Sequence, residues 1–117
     1  MRVRFDGFDG DTRTSADVLA QLRADIAGAR MSVAQQQVVD PNHAYALLNV
    51  TTDSGHKRLL LRVYSKDQER GFFYLLSVYT DTMKEWAGYY PLIRAMVEGW
   101  VDHKGRSLKV PLPATLP

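Results

Sequence analysis

The sequence contains no cysteine, and this absence removes several classes of chemistry at once. Disulfide bonds, thiolate nucleophiles, cysteine-ligated zinc and iron–sulfur clusters all need a cysteine sulfur and are excluded. Long apolar runs are missing as well. No stretch approaches the roughly 20 residues that cross a bilayer, and the first residues lack the apolar segment of a signal peptide. We therefore expect a soluble protein in the cytoplasm, with an extracytoplasmic location left open.

A marked excess of one charge sign is missing too. Fifteen Lys and Arg residues stand against thirteen Asp and Glu residues, which leaves a net charge of +2. Two surplus charges do not create the positive field with which nucleic-acid-binding proteins attract phosphate groups. The charge balance therefore argues against a nucleic acid as the main partner.

The length of 117 residues is enough for one domain with its own hydrophobic core. Hydrophobic residues make up 45% of the chain and charged residues 24%, which excludes a disordered, collagen-like or coiled-coil chain. We assign residues 1–110 to a single domain. Residues 111–117, with three prolines and no charge, form a tail that reads as extended coil or as a linker.

Hydrophobic spacing predicts a helix near the N-terminus and a sheet after it. Val18, Leu19, Leu22 and Ile26 fall on one face of a helix over about 16–29, with Thr14 or Ser15 as the N-cap. A short edge strand precedes it. The apolar period then changes to two, which predicts an antiparallel meander. Its four expected strands cover residues 32–39, 44–52, 57–65 and 72–80.

The last of these strands is apolar on both faces, so we expect it to be central or covered by helices on each side. Thr80 or Asp81 is the expected cap of a second helix. Pro91 cannot lie inside an unbroken helix, because it lacks an N–H group and clashes with the preceding turn. We therefore expect a kink at Pro91, after which the helix resumes. A turn at 102–105 and a short strand at 107–110 complete an α+β fold.

Two groups of residues are candidates for binding. Arg58, Arg62 and Tyr64 lie on one face of the third meander strand. This face is either a basic strip with an aromatic residue that binds nucleic acid or a solvated face without a binding role. The aromatic residues of the second helix cannot all share one stripe, so Tyr89 and Trp100 are expected outside it. Exposed aromatic residues are typical of binding surfaces, although a thicker core or a dimer explains them equally well.

Signals for catalysis and for metal binding are weak. His43, His56 and His103 each lie beside an expected turn, and their spacing matches no metal-binding motif. Residues 70–77 approximate the aromatic strand motif of RNA-recognition domains, but Phe73 stands where that motif needs a small residue. We therefore predict a protein that is not an enzyme and that uses no cofactor and no metal.

The order of elements resembles the PsbP-like and DcrB-like α+β domains. The resemblance rests on residues 16–26, on the strands across 44–80 and on the segment 86–100, WAGYYPLIRAMVEGW. In that family a comparable helix, with an aromatic residue before a proline, packs back on the sheet. The resemblance implies a non-enzymatic module for binding proteins, since some relatives act as adaptors or as chaperones for secreted effectors.

Three functions follow from these patterns. The leading prediction is a non-catalytic protein-binding module, either an adaptor, a secretion chaperone or an immunity-type protein, whose partner is another protein or a second copy of the chain. The first alternative is a pocket between the sheet and a helix that binds a small apolar or anionic ligand, with Arg58 or Arg62 as the anion partner. The second alternative is single-stranded nucleic-acid binding through Arg58, Arg62, Arg70 and Tyr74.

Overall fold

Five strands and two helices make up the fold in a computed structural model, which describes residues 1–10, 12–67, 69–101, 105, 107 and 110–116. The elements are β1 (Arg2–Asp9), α1 (Ser15–Ile26), β2 (Met31–Asp40), β3 (His43–Thr51), β4 (Lys57–Asp67), β5 (Phe72–Tyr79) and α2 (Met83–Glu98). All strand pairs are antiparallel, in the order β1-β5-β4-β3-β2. The predicted α+β class and the meander are confirmed.

The first strand closes the sheet on the far side of the meander. β2, β3, β4 and β5 pair in sequence, whereas β1 pairs with β5 from Arg2 opposite Tyr79 to Asp9 opposite Phe72. β5 is therefore an interior strand, as its two apolar faces predict. α1 leads from the β1 edge to the opposite edge at β2.

Helix α1 covers one face of the sheet, which we call the α1 face. Thr14 is the N-cap: its hydroxyl accepts a hydrogen bond from the Asp17 N–H, while the Asp17 carboxylate accepts one from the Thr14 N–H at 2.8 Å. The helix ends at Ile26, three residues before the expected end. Its apolar side packs on small and aromatic residues of the sheet. This core contains Val18, Leu19, Leu22, Ile26, Ala44, Ala46, Leu48, Tyr64 and Phe73.

Helix α2 covers the opposite face, the α2 face, and differs from the prediction at two points. Its N-cap is Thr82, whose hydroxyl accepts from the Glu85 N–H at 3.1 Å. Thr80 cannot cap it, because that side chain is buried and its hydroxyl donates to the Thr82 carbonyl instead. The helix also continues through Pro91 without ending there. Pro91 and Ala87, whose carbonyl loses its helical partner, are both exposed to water.

The C-terminal tail belongs to the core under α2. Val110, Leu112 and Leu116 are buried there, together with Trp86, Tyr90, Ile93 and Val97 of the helix and the α2-face residues of β3, β4 and β5. Three α2 side chains donate to tail carbonyls. These bonds join Trp86 Nε1 to Leu116 O (2.9 Å), Tyr90 Oη to Pro113 O (2.6 Å) and Arg94 Nε to Leu112 O (3.1 Å).

Two expected elements near the C-terminus fall largely outside the described residues. Residues 102–104 of the expected turn and 108–109 of the expected strand lie there, while Ser107 forms an isolated antiparallel bridge with Val101. Neither α1 nor α2, the helices in the described part of the chain, has the length and hydropathy that a membrane span requires.

Candidate functional site

Strand β4 presents two kinds of side chain because successive residues point to opposite faces of a sheet. Leu59, Leu61 and Val63 face the α2 core and are fully or almost fully buried. Arg62 and Tyr64 face the other way, toward α1, and pair across the sheet with Ala46 and Ala44 of β3. Both alanines are fully buried in the core under α1.

A groove of about 350 Å³ lies between α1 and the sheet. Helix α1 packs over β2, β3 and β4, so the groove opens where the sheet continues toward β5 and β1. Apolar side chains from three elements form much of its wall. The lining residues are Phe8, Arg13, Val18, Gln21, Leu22, Asp25, Arg62, Tyr64 and Leu75. We call this site the α1 groove.

Arg62 is the most unusual residue of the α1 groove. Its Nε atom is shielded from solvent, and no group in the described part of the chain accepts a hydrogen bond from it. No described carboxylate forms an ion pair with Arg62 either. Buried polar atoms normally have such a partner, because an unpaired one loses its hydration without compensation. The groove therefore contains an N–H donor, Arg62 Nε, that has no hydrogen-bond acceptor among the described residues.

Tyr64 lies beside Arg62 and is 3% exposed. Burial raises the pKa of its hydroxyl and the charge of Asp25 raises it further, against the lowering effect of a hydrogen bond and charge from Arg62. The phenol is therefore neutral at physiological pH. The neutral phenol keeps its hydroxyl proton, which can serve as a hydrogen-bond donor.

The rim of the α1 groove adds a second cation and one acidic group. The Arg13 guanidinium lies 5.1 Å from the centroid of the Phe8 ring, a cation–π arrangement that holds it over the groove wall. Asp25 accepts a hydrogen bond from Gln21 Nε2 at 2.7 Å, one turn along α1. Among the described residues of the lining, two arginines and one aspartate give a net positive charge.

The α1 groove unites only part of the predicted binding set. Arg62 and Tyr64 line it, and Arg58 shares their face but stacks 4.6 Å from the centroid of the Tyr79 ring. Tyr89 and Trp100 lie on α2 and just beyond it, on the other side of the sheet. The five predicted residues therefore do not form one site.

Sequence reasoning missed Phe8, Arg13 and Asp25 as groove residues. Phe8 reaches the groove because β1 pairs with β5, which places Phe8 opposite Phe73 and next to Tyr64, with ring centroids 6.4 Å apart. That pairing joins residues more than sixty positions apart, and no local pattern encodes it. Asp25 carried a usable signal, since it lies one turn from Gln21 on the helix side next to Leu22.

A second surface runs along one side of α2. Tyr89, Leu92, Met96 and Trp100 follow one another at helical spacing, and Trp100 contacts Phe5 of β1 with ring centroids 6.0 Å apart. Tyr89 is 41% exposed and Phe5 is 60% exposed. These five residues, which we call the α2 flank, form an apolar surface that continues from the helix to the β1 edge.

The proposed nucleic-acid face is divided between the two sides of the sheet. Arg58 and Arg62 face α1, whereas Tyr74 pairs with Ser65 and Gly7 on the α2 face. Arg70 lies in the turn between β4 and β5, 3.9 Å from Asp67. The two arginines of β4 therefore cannot act on the same strand of nucleic acid as Tyr74.

His43 is the histidine with a defined acidic contact, at the hairpin between β2 and β3. Its Nδ1 lies 2.7 Å from Asp40, and Ser65 stands opposite it on β4. The Ser65 hydroxyl is fully buried, so it is not presented to a substrate. Among the described residues, no three His, Asp or Glu side chains are grouped to hold a metal ion. His103 lies outside the described residues.

A larger hollow of about 430 Å³ opens between β2, α2 and the tail. The described residues of its lining are Val39, Glu98, Val110 and Pro111, and the charged one among these, Glu98, pairs with Arg94 at 3.1 Å. None of its described lining residues carries an unsatisfied buried polar atom. The smaller α1 groove is therefore the better candidate site.

Comparison with known proteins gives no further guide to this site. No protein-family model, curated protein or solved structure matches the chain. The resemblance to PsbP-like and DcrB-like domains stays a prediction.

Proposed function

We propose that the protein binds a small organic anion with an apolar body in the α1 groove. The observation that carries this proposal is the buried Arg62 Nε, which has no acceptor among the described residues. A ligand carboxylate or sulfonate would supply that acceptor. This is the pocket function predicted as an alternative from the sequence, placed under the first helix.

The energetics of an unsatisfied buried N–H donor support ligand binding. A charge-assisted hydrogen bond contributes about 1.5–3 kcal/mol, and an unmade bond to a buried group leaves the whole desolvation cost in place. An anion that pairs with Arg62 would remove this cost in the bound state. The Tyr64 hydroxyl would donate to a second oxygen of the same anionic group.

The remaining lining indicates what kind of anion fits. Phe8, Leu22 and Leu75 offer apolar walls for a hydrocarbon or aromatic body. A volume of about 350 Å³ is at the small end of ligand sites, so the ligand is a metabolite-sized molecule rather than a polymer. Asp25 disfavours a second negative charge at the rim. We therefore expect a monoanion such as a medium-chain carboxylate.

Fluorescence titration with anilinonaphthalene sulfonate, followed by displacement with octanoate, tests the proposal. We expect octanoate to displace the dye and octanol, which lacks the charge, to do so at least tenfold less well. Arg62→Gln should raise the dissociation constant of octanoate by about tenfold or more, the loss of one charge-assisted hydrogen bond. Arg23→Gln, an exposed arginine on α1, is the matched control and should change nothing.

Equal displacement by octanoate and octanol would contradict the proposal, because the groove would then be a plain apolar hollow. Unchanged octanoate binding in Arg62→Gln would contradict it as well. Circular dichroism of each variant shows whether it is folded before binding is compared.

Protein binding, the leading function predicted from the sequence, is the second candidate. It is favoured by a specific observation: the α2 flank exposes Tyr89 and Phe5 beside the outer edge of the sheet. Aromatic residues on a rigid helix are typical of interface centres.

A further inference from the structure

The two edges of the sheet differ in how they are protected. β2, at one edge, changes register twice against β3, between Val33 and Gln35 and between Val38 and Asp40. Such bulges twist an edge and hinder further strand addition. β1, at the other edge, keeps an unbroken register of eight residue pairs with β5 and contains no proline. Its outer N–H and C=O groups therefore form a regular template.

The charges of β1 are arranged so that the strand complements itself. Arg2 and Arg4 occupy its first half, and Asp6 and Asp9 its second half. When two copies of the strand align antiparallel with Phe5 opposite Phe5, Arg4 of each copy lies opposite Asp6 of the partner subunit. Opposite charges at directly paired positions stabilise a strand pair, and like charges destabilise it.

The existing contacts of these residues are compatible with such a pairing. Within one chain, Arg4 Nε lies 2.8 Å from Asp6, and both side chains reach solvent. In the paired state each Arg4 exchanges its own Asp6 for the partner's Asp6. The number of ion pairs stays the same, and no charge is left buried without a partner.

The apolar side chains of β1 would become more buried in the same pairing. Phe5 and Val3 point to the α2 face, where Phe5 already contacts Trp100. Antiparallel pairing centred on Phe5 brings the two Phe5 rings together and places a Trp100 on each side of them. A Phe5 side chain that is 60% exposed in one chain would then be covered by its own counterpart.

We propose that two copies of the chain associate through their β1 edges, antiparallel and centred on Phe5, into one continuous ten-stranded sheet. This inference does not depend on the α1 groove as a ligand site. One strand pair with a few flanking rings lies below the standard interface size, so the dimer dissociates in the micromolar range and assembles reversibly.

Charge reversal tests both the partner and the register. Arg4→Asp places a carboxylate opposite Asp6 of the partner subunit, and Asp6→Arg places a guanidinium opposite Arg4 of the partner subunit. Each variant alone should be monomeric in sedimentation velocity at concentrations where the unaltered protein is dimeric. An equimolar mixture of the two should form dimers again, since opposite charges then face each other at both positions. Arg23→Asp, an exposed arginine on α1, is the control and should leave the dimer intact.

Three outcomes would overturn the proposal. The unaltered protein could remain monomeric throughout the range from about 1 µM to several hundred µM. The two charge-reversal variants could dimerise as well as the unaltered protein, which would place the interface elsewhere. The mixture could stay monomeric although both variants are folded, which would exclude this register.

Hydrogen exchange locates the interface independently of any variant. Raising the protein concentration should slow amide exchange in β1 and leave β2, the bulged edge, unchanged. Protection confined to α2 would mean that the α2 flank pairs without the strand, and would contradict the proposal. Arg62→Gln should dimerise normally, so that a failure of the groove function and a failure of the dimer are separate results.

Discussion

Arg62 leaves one buried donor of the fold without an acceptor, and a ligand in the proposed site would supply that acceptor. It stands on a central strand, between Leu61 and Val63, which are completely buried on the other face. An apolar residue at this position would pack against Tyr64 and Leu75 without an unmade hydrogen bond. Residues that weaken a fold locally in this way are common at binding sites, because function needs a group that stability does not.

A stability measurement on Arg62→Met follows from this view. Methionine keeps the length of the apolar stem and removes the buried N–H, so the free energy of unfolding should rise by about 1–3 kcal/mol, the desolvation cost of one unsatisfied buried donor. Urea denaturation of the ligand-free protein measures the change. A destabilisation comparable to that of a core cavity would show that Arg62 has a structural partner.

Acidic residues at element ends predict the pH dependence of stability. At Asp17, hydrogen bonds from Thr14 lower the pKa. At Asp40, burial opposes the shift, but hydrogen bonds from the Asn42 N–H and from His43 outweigh it and lower the pKa. A carboxylate with a lowered pKa in the folded state stabilises the protein above its unfolded pKa, and this contribution is lost as the pH falls through the folded value.

The urea midpoint should therefore fall as the pH decreases from about 5 to about 2. Asp40→Asn should flatten this slope, because asparagine still accepts from the Asn42 N–H but does not titrate. Asp81→Asn, at an exposed position before α2, serves as the control. A slope in Asp40→Asn as steep as in the unaltered protein would show that Asp40 does not contribute.

At the scale of elements, the tail and α2 depend on each other. Proline lacks an N–H but keeps its carbonyl, so a proline-rich tail offers acceptors and few donors. The helix supplies the matching donors from Trp86, Tyr90 and Arg94. This match explains how an uncharged, irregular segment is held in place without a strand partner along its length.

Removal of residues 111–117 should destabilise the fold by about 3–6 kcal/mol, since burial of each of two leucines contributes about 1.5–3 kcal/mol. Leu112 and Leu116 are 3% and 4% exposed. Thr115→Ala, at an exposed tail position, is the matched substitution and should leave the urea midpoint unchanged. If the shortened chain is as stable as the full one, burial of the tail does not contribute to the free energy of unfolding.

The sequence predicted elements better than it predicted their caps. The ends of the four meander strands lie within two residues of the expected ends, because alternation of apolar residues is a local signal. The cap of α2 was misplaced because Thr80, Asp81 and Thr82 are all chemically suitable. Their roles are decided by burial of Thr80, which depends on tertiary packing.

At the scale of the whole molecule, contacts between segments that are distant in the sequence were not predicted. The shared face of Arg62 and Tyr64 follows from strand alternation alone. The α1 groove around them does not follow from strand alternation. It depends on α1 crossing the sheet and on β1 pairing with β5, which brings Phe8 to the groove. Pairings of such long sequence separation leave no trace in composition or periodicity.

In the proposed dimer, β1 of the partner subunit lies next to the proposed ligand site. In the register centred on Phe5, Arg2 of the partner subunit lies opposite Phe8, which lines the α1 groove. Arg2→Gln should therefore weaken octanoate binding at protein concentrations where the dimer forms, and leave it unchanged where the monomer prevails. Titrations at a low and a high protein concentration measure the difference. An equal effect of Arg2→Gln on octanoate binding at both concentrations would show that Arg2 of the partner subunit does not contribute to the ligand site.

The alternation of side chains along β4 has a practical consequence for engineering. Positions 62 and 64 line the proposed ligand site in the α1 groove, while positions 59, 61 and 63 belong to the core under α2. A combinatorial library limited to the even-numbered positions would diversify ligand preference and leave the odd-numbered scaffold untouched. The same strand can in this way be evolved on one side only.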